Sequence, residues 1–256
     1  MLRKRFPVSP FKTLARGLSA AVFGIAVIGG AHAHAATIIV DDFGQTNVDW
    51  SSFFDNTNNG VPVTRVDSGL TPADTIGGKR TVTLNATLAT SSSQKLEASV
   101  DPGFDFDVAA AVRAAGTALL TYGSTGVSDQ LNLNIDLGSI INVDLDYFDF
   151  ANSINLPVTV KLYDGVHIAT QTLTVTDAVD TTTTLGFSLA SFTGIGALDL
   201  TNIDKIDVLF TGGQAADYSV GLIDIQTPNN TEVPEPASLL TLGLAAAGLV
   251  LRRNRR

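Results

Sequence analysis

The chain has 256 residues, no cysteine, one methionine and one tryptophan, so neither disulfides nor thiolate metal sites contribute to it. Its charge is divided by position: residues 36–233 hold seven basic side chains against twenty-four acids, a net of −17, whereas the whole chain is −9. A body this acidic repels phosphate backbones, which argues against nucleic acid as a partner.

Taken from the start, Arg3, Lys4, Arg5, Lys12 and Arg16 precede an apolar run from Leu18 to Ala31. Ala31-His32-Ala33-His34-Ala35-Ala36 follows, with small residues in two overlapping cleavage patterns. This order of basic, apolar and small residues is that of a secretory signal peptide. The expectation is a signal helix within residues 1–35, read by the Sec translocon. Signal peptidase would cut after Ala35, with Ala33, Ala35 and Ala36 marking the site.

Residues 36–226 read as one all-β domain, an antiparallel, jelly-roll-like β-sandwich. Thr, Val, Ile, Asp, Asn and Gly are frequent there, and apolar and polar residues alternate. Val82 and Leu84 alternate with threonines. The stretch Val108 to Ala115 is helix-like but short and uncapped. Leu131, Leu133, Ile135 and Leu137 alternate with Asn132, Asn134 and Asp136, predicting a strand.

That strand is expected to form a hairpin pairing Leu137 with Val143, Ile135 with Leu145 and Leu133 with Tyr147. Its other face would set Asp136 against Asp144, a repulsive pair that calls for water or a cation. A second hairpin is predicted over Leu156–Thr176 with Asp164-Gly165 at its tip. A three-residue loop, Tyr163-Asp164-Gly165, keeps the apolar faces together by pairing Leu162 with Val166 and Val160 with Ile168. It places His167 outward, opposite Lys161. Further on, Ile206, Val208 and Phe210 share one face, with Val220, Leu222 and Asp224 alternating after them.

Little in the body suggests catalysis. With the signal removed, His167 is the one histidine certain to remain, and no G-x-S-x-G elbow, P-loop or dinucleotide fingerprint accompanies it. The reading is therefore a non-enzyme, with no certain cofactor. Calcium is the one ligand with candidate groups, because it takes oxygen donors from Asp and backbone carbonyls. One candidate set is Asp136, Asp144 and Asp146. Another joins Asp41 or Asp42 on the first strand to Asp224 on the last, and a third is Asp101 to Asp107. The alternative for all three is a solvated acidic surface. Trp50 is a candidate for stacking on a sugar ring, against the alternative of a core tryptophan. Phe148 and Phe150 fall on the polar beat of their segment and mark either a bulge or a contact surface.

Residues 227–232 are polar and turn-prone and read as a linker. Val233-Pro234-Glu235-Pro236 follows, then fifteen uncharged residues from Ala237 to Leu251, then Arg252, Arg253, Arg255 and Arg256. As a helix those fifteen residues reach about 22 Å, a marginal transmembrane span against a bilayer core of about 30 Å. The arginines set a cytoplasmic C-terminus. Residues 233–256 resemble a PEP-CTERM sorting signal in all their parts. The resemblance implies a Gram-negative bacterium that makes exopolysaccharide. An exosortase-type enzyme in the inner membrane would read and cut near Val233, Pro234, Glu235 and Pro236, while the arginine cluster retains the tail. The body would then move to the outer surface or extracellular matrix.

A second resemblance, to galactose-binding-like and carbohydrate-module jelly rolls, rests on three short segments. They are Val40-Asp41-Asp42-Phe43, Ile76-Gly77-Gly78-Lys79-Arg80 and Asp217 to Ile225. Together these features predict an exported, non-catalytic surface or matrix protein associated with exopolysaccharide. A specific carbohydrate-binding module, calcium-stabilised or not, is the alternative, and a secreted hydrolase has least support.

Overall fold

The structure is a computed structural model, and it describes residues 36–44, 50–56, 61–88, 94–100, 105–149 and 155–228; the side chains of residues 50–52 lie outside that description. The expected signal helix, the sorting motif, the tail helix and its arginines all fall outside the described residues. Among the described residues no helix is long and apolar enough to cross a membrane.

In chain order the strands are β1 (Thr37–Asp41), β2 (Trp50–Asp55), β3 (Val63–Ser68), β4 (Lys79–Leu88), β5 (Leu96–Val100), β6 (Phe106–Ala110) and β7 (Ala115–Gly123). They continue with β8 (Ile140–Phe148), β9 (Leu156–Tyr163), β10 (Ile168–Val175), β11 (Thr183–Ser188), β12 (Lys205–Gly212) and β13 (Tyr218–Gln226). Among the described residues all strand pairings are antiparallel, and the strands form two sheets. A six-stranded sheet runs β10-β9-β12-β7-β4-β3. A seven-stranded sheet runs β11-β8-β13-β6-β5-β2, with β1 also on β13. The expected antiparallel sandwich is thus the observed fold.

Alternation produces the core. On the six-stranded sheet Val82, Leu84, Leu120, Tyr122, Val158, Val160, Leu162, Ile206, Val208 and Phe210 point inward and are fully buried. Phe106, Ile141, Val143, Leu145, Val220, Ile223 and Ile225 meet them from the seven-stranded sheet. Each such side chain stabilises the fold by roughly 1.5–3 kcal/mol relative to exposure.

Several local expectations need correction. Residues 131–137 do not form a hairpin with β8. Leu133 instead bridges Ile203, and the amides of Leu131 and Ile135 donate to the carbonyls of Asp204 and Leu200. The Asp136–Asp144 repulsion is thereby avoided, and β8 pairs with β11 and β13. The helix-like stretch 108–115 is the end of β6, a turn and the start of β7. Val108 and Ala110 are buried on alternate positions, which is a strand's period.

The hairpin at 156–176 exists, but in a third register. Tyr163 pairs with Ile168 and Leu162 with Ala169, leaving Asp164 to His167 as a four-residue loop. Asp164 Oδ1 accepts from the Val166 and His167 amides, and Gly165 takes φ +86, so the loop is set by its own side chain. Val166 and Ile168 are consequently exposed. His167 faces solvent as expected, but opposite Asp164, and Thr170 takes the place across from Lys161.

In β13 a register shift around Gly221 moves the apolar beat to Ile223 and Ile225, putting Leu222 and Asp224 outward, across from Asp144 and Asn142. The same irregularity turns Phe148 inward, opposite Tyr218, which is the bulge its position predicted. Phe150 lies outside the described residues.

Candidate functional site

The outer face of the six-stranded sheet is built from the residues that alternate with its core. The pairings of β3, β4, β7, β12, β9 and β10 align one row as Val66, Thr81, Thr121, Asp207, Lys161 and Thr170. The next is Thr64, Thr83, Leu119, Leu209, Thr159 and Thr172. Hydroxyls pair along these rows: Thr64 Oγ1 is 3.1 Å from Thr83 Oγ1, and Thr159 Oγ1 is 2.8 Å from Thr172 Oγ1. Leu119 and Leu209, directly opposed and half-buried, give the rows an apolar centre.

At one end Asp207 organises a fixed cluster. Thr121 Oγ1 donates to its Oδ1 at 2.7 Å and the Tyr163 hydroxyl to its Oδ2 at 2.8 Å, while Lys205 Nζ stands 2.8 Å from the same Oδ2. Lys205 and Tyr163 are direct cross-strand partners, and the ammonium lies 4.3 Å from the ring centroid. Burial, with the hydrogen bond to Asp207 and its negative charge, holds the Tyr163 phenol well above its ordinary value. The phenol is therefore a donor at any physiological pH. Lys161 faces Asp207 across β9 and β12. Such a surface offers what a polyhydroxyl ligand can use: hydroxyls that both donate and accept, an ammonium, an aromatic ring and small apolar patches.

The residues nominated for calcium are distributed differently. Asp41 points into the interior, where Oδ2 accepts from Arg80 Nη1 at 2.8 Å and from the Tyr122 hydroxyl at 2.9 Å. Its Oδ1 accepts from Thr75 Oγ1 and the Phe43 amide, both at 3.1 Å. Burial raises its carboxyl and Arg80 opposes that rise. Asp42 Oδ1 accepts from the Gly44 amide at 2.9 Å. Asp224 lies on the opposite side of the sheet from Asp41, accepting from Asn142 Nδ2 at 2.7 Å.

Asp144 and Asp146 accept from the Thr184 and Thr182 hydroxyls of β11 and the segment before it, and Asp136 sits in an exposed turn before β8, its carbonyl accepting from the Ser139 amide. The structure therefore does not gather Asp136, Asp144 and Asp146, nor Asp41, Asp42 and Asp224. Asp146 instead meets Asp105, whose carboxyl burial raises, with the charges of Asp146 and Asp107 adding to the effect. Among the described residues no group of three His, Asp or Glu side chains is placed to hold a metal ion.

Trp50 pairs through its backbone with Val100 on β5, and its side chain is outside the described residues, as are Ala33, Ala35, 233–236 and the arginines at 252–256. Ala36 is the first described residue. The cluster of Tyr163, Lys161, Lys205 and Asp207 was not anticipated. Its one sequence signal is the recurrence of Thr and Lys on the off-beat of apolar strands, and more than forty residues separate Tyr163 from Lys205 and Asp207.

The family described as the PEP-CTERM protein-sorting motif matches residues 232–256. No curated protein matches the sequence. Among solved structures, a family 11 carbohydrate-binding module from Clostridium thermocellum, in complex with a β-1,3-1,4-mixed-linked tetrasaccharide, is 17% identical with a TM-score of 0.38. It aligns over 75% of this chain and 96% of its own. The module TmCBM61 in complex with β-1,4-galactotriose is 9% identical with a TM-score of 0.32, over 65% of this chain and 88% of its own. An agarase, AgWH50C, is 10% identical with a TM-score of 0.39, over 75% of this chain and 24% of its own. The chain therefore carries a PEP-CTERM sorting motif at its C-terminus, which implies an exported protein processed by an exosortase-type enzyme.

Proposed function

We propose that this is a non-catalytic protein of the outer cell surface or extracellular matrix that associates with exopolysaccharide through the outer face of its six-stranded sheet. Its first 35 residues direct Sec export and are cut by signal peptidase. Residues 227–232 tether a jelly-roll-like body, 36–226, to the sorting signal at 233–256. The tail helix holds the body in the inner membrane until the sorting enzyme cuts near Pro234-Glu235-Pro236, with Arg252, Arg253, Arg255 and Arg256 retained on the cytoplasmic side.

The observation that carries the glycan reading is the fixed arrangement of Tyr163, Lys205, Asp207 and Thr121 within rows of threonine hydroxyls. These groups are ordered by the sheet itself, so a ligand would meet donors and acceptors whose side-chain freedom is already spent. Lys79, Lys161 and Lys205 also lie on strands of this sheet, so the face is locally less acidic than the opposite one, where Asp105, Asp107, Asp144, Asp146 and Asp224 gather.

The test is cosedimentation of the secreted body with purified exopolysaccharide, comparing wild type with a Lys161→Ala, Tyr163→Phe double variant. A loss of roughly tenfold in affinity, about 1.4 kcal/mol, is expected, beside a modest fall in melting temperature from the lost Tyr163–Asp207 hydrogen bond. Undiminished binding by the double variant would overturn this face as the site.

A further inference from the structure

The two ends of the body are held together at one edge. Thr37 pairs with Gln226, and the Ala36 carbonyl accepts from the Thr227 amide at 2.9 Å and from its hydroxyl at 3.1 Å. Pro228 packs on Gly138, so closely that a Cβ there would stand 3.2 Å from the proline Cγ. Around this point the turn and strand start Asp136-Leu-Gly-Ser-Ile140 leave Leu137 51% and Ile140 39% exposed. Asp136 is the one charge in that stretch.

The sequence sets how far this edge can stand from a membrane. Only residues 32–35 separate Ala36 from the apolar run ending at Ala31, and 229–236 separate Pro228 from the apolar run beginning at Ala237. Fully extended, these segments reach at most about 14 Å and about 29 Å. Both export signals leave from this edge on short leads, and once the N-terminal signal is cut the eight-residue lead after Pro228 alone tethers it.

We infer that the edge formed by Ala36, Leu137, Ile140, Thr227 and Pro228 is the side this body turns to a phospholipid bilayer while its tail is still attached. The inference rests on the reading of residues 233–256 as a membrane-inserted sorting signal. Leu137 and Ile140 are apolar groups that the core does not need and that the interfacial region accepts. The opposite end of β13 points away from the lipid. There Ala110 donates to Asp217 Oδ1 and the adjacent turn leaves Val112 78% exposed. Nine residues of β13 separate the two ends, roughly 30 Å at strand rise.

The chain has no cysteine, so single labels are unambiguous. Signal-cleaved chains (residues 36–256, tail included) carrying Leu137→Cys, Ile140→Cys or Val112→Cys are labelled with an environment-sensitive fluorophore. They are then reconstituted into phosphatidylethanolamine/phosphatidylglycerol vesicles containing a headgroup spin-labelled lipid. The expected result is fluorescence loss at Leu137→Cys and Ile140→Cys, little loss at Val112→Cys, and co-flotation of all three with the vesicles. Co-flotation with equal quenching at all three positions, or with none, would overturn the orientation and leave the sorting reading standing. A chain that does not float with vesicles overturns the membrane-inserted tail, and the orientation with it.

Discussion

Arg80 and Asp41 meet inside the sandwich, Nη1 2.8 Å from Oδ2, with side chains 1% and 0% exposed. Arg80 also donates to Asp67 through Nε and Nη2, and its guanidinium lies 5.1 Å from the Phe43 ring centroid. The pair ties β1, a five-residue strand on the seven-stranded sheet, to β4 and β3 on the other. A register shift between Ile39 and Asp41 lets Val40 and Asp41 both be buried.

Removing the cation leaves Asp41 buried with no counter-charge, whereas Asp67 keeps Arg65 Nε at 3.4 Å. Arg80→Met is expected to destabilise the body by about 3–5 kcal/mol in urea unfolding, the cost typical of breaking one side of a buried ion pair. Adding Asp41→Asn to Arg80→Met should recover part of the loss, since one uncompensated charge is then gone. A double variant no more stable than Arg80→Met would mean the effect comes from packing alone.

A pH dependence should come from Asp164. Burial would raise its carboxyl, but hydrogen bonds from the Asp199 amide, the His167 amide and ring, and the Val166 amide outweigh that and hold it well below the ordinary range. A depressed folded value means the carboxylate's contribution is fully present above the unfolded value, about 3.9, and is lost as pH falls through the folded one. Thermal melts of the wild type should therefore weaken progressively below about pH 4, and Asp164→Asn should weaken less over that window. Identical acid profiles for the two chains would remove Asp164 from the account.

Asp105 has the opposite sign. Burial raises its folded value, Ser219 Oγ donates to it at 2.9 Å, and the charges of Asp146 and Asp107 raise it further. A raised folded value means stability is gained as pH falls through it and is complete below the unfolded value. Asp105→Asn should accordingly stabilise the body at pH 7 by on the order of 0.5 kcal/mol, while keeping an acceptor for Ser219. The gain should fade in melts near pH 3.5, where the wild-type Asp105 carboxyl is protonated in the folded chain. A destabilised variant at pH 7 would show that Asp105 is held by favourable contacts instead.

How much was legible in the sequence follows from the range of each interaction. Strands β4 and β12 could be read directly because alternation over Arg80–Asn85 and Ile206–Phe210 is local and each has one buried face. The same rule misassigned 131–137. Its alternation is genuine, but Leu133 found its partner at Ile203, seventy residues on, in place of the neighbouring β8. The hairpin register at 156–176 was missed because an aspartate side chain organised a four-residue loop and outweighed the burial of Val166 and Ile168. Bulges near Val40 and Gly221 shifted the beat by one residue, which no period-two pattern reports.

Charge-separated ends, a C-terminal sorting motif and an antiparallel two-sheet body are all readable from the order of the residues. These rest on composition, contiguous motifs and period-two alternation, all short-range properties of the chain. That Asp41 belongs to a buried network with Arg80 and Tyr122 emerges from the folded arrangement of the strands. The same is true of the meeting of Tyr163, Lys205 and Asp207 on one face, and of Ala36 and Thr227 at one edge. Each of these depends on which strands pair and in what register. That choice is made by burying the whole core at once, so no local stretch of sequence states it.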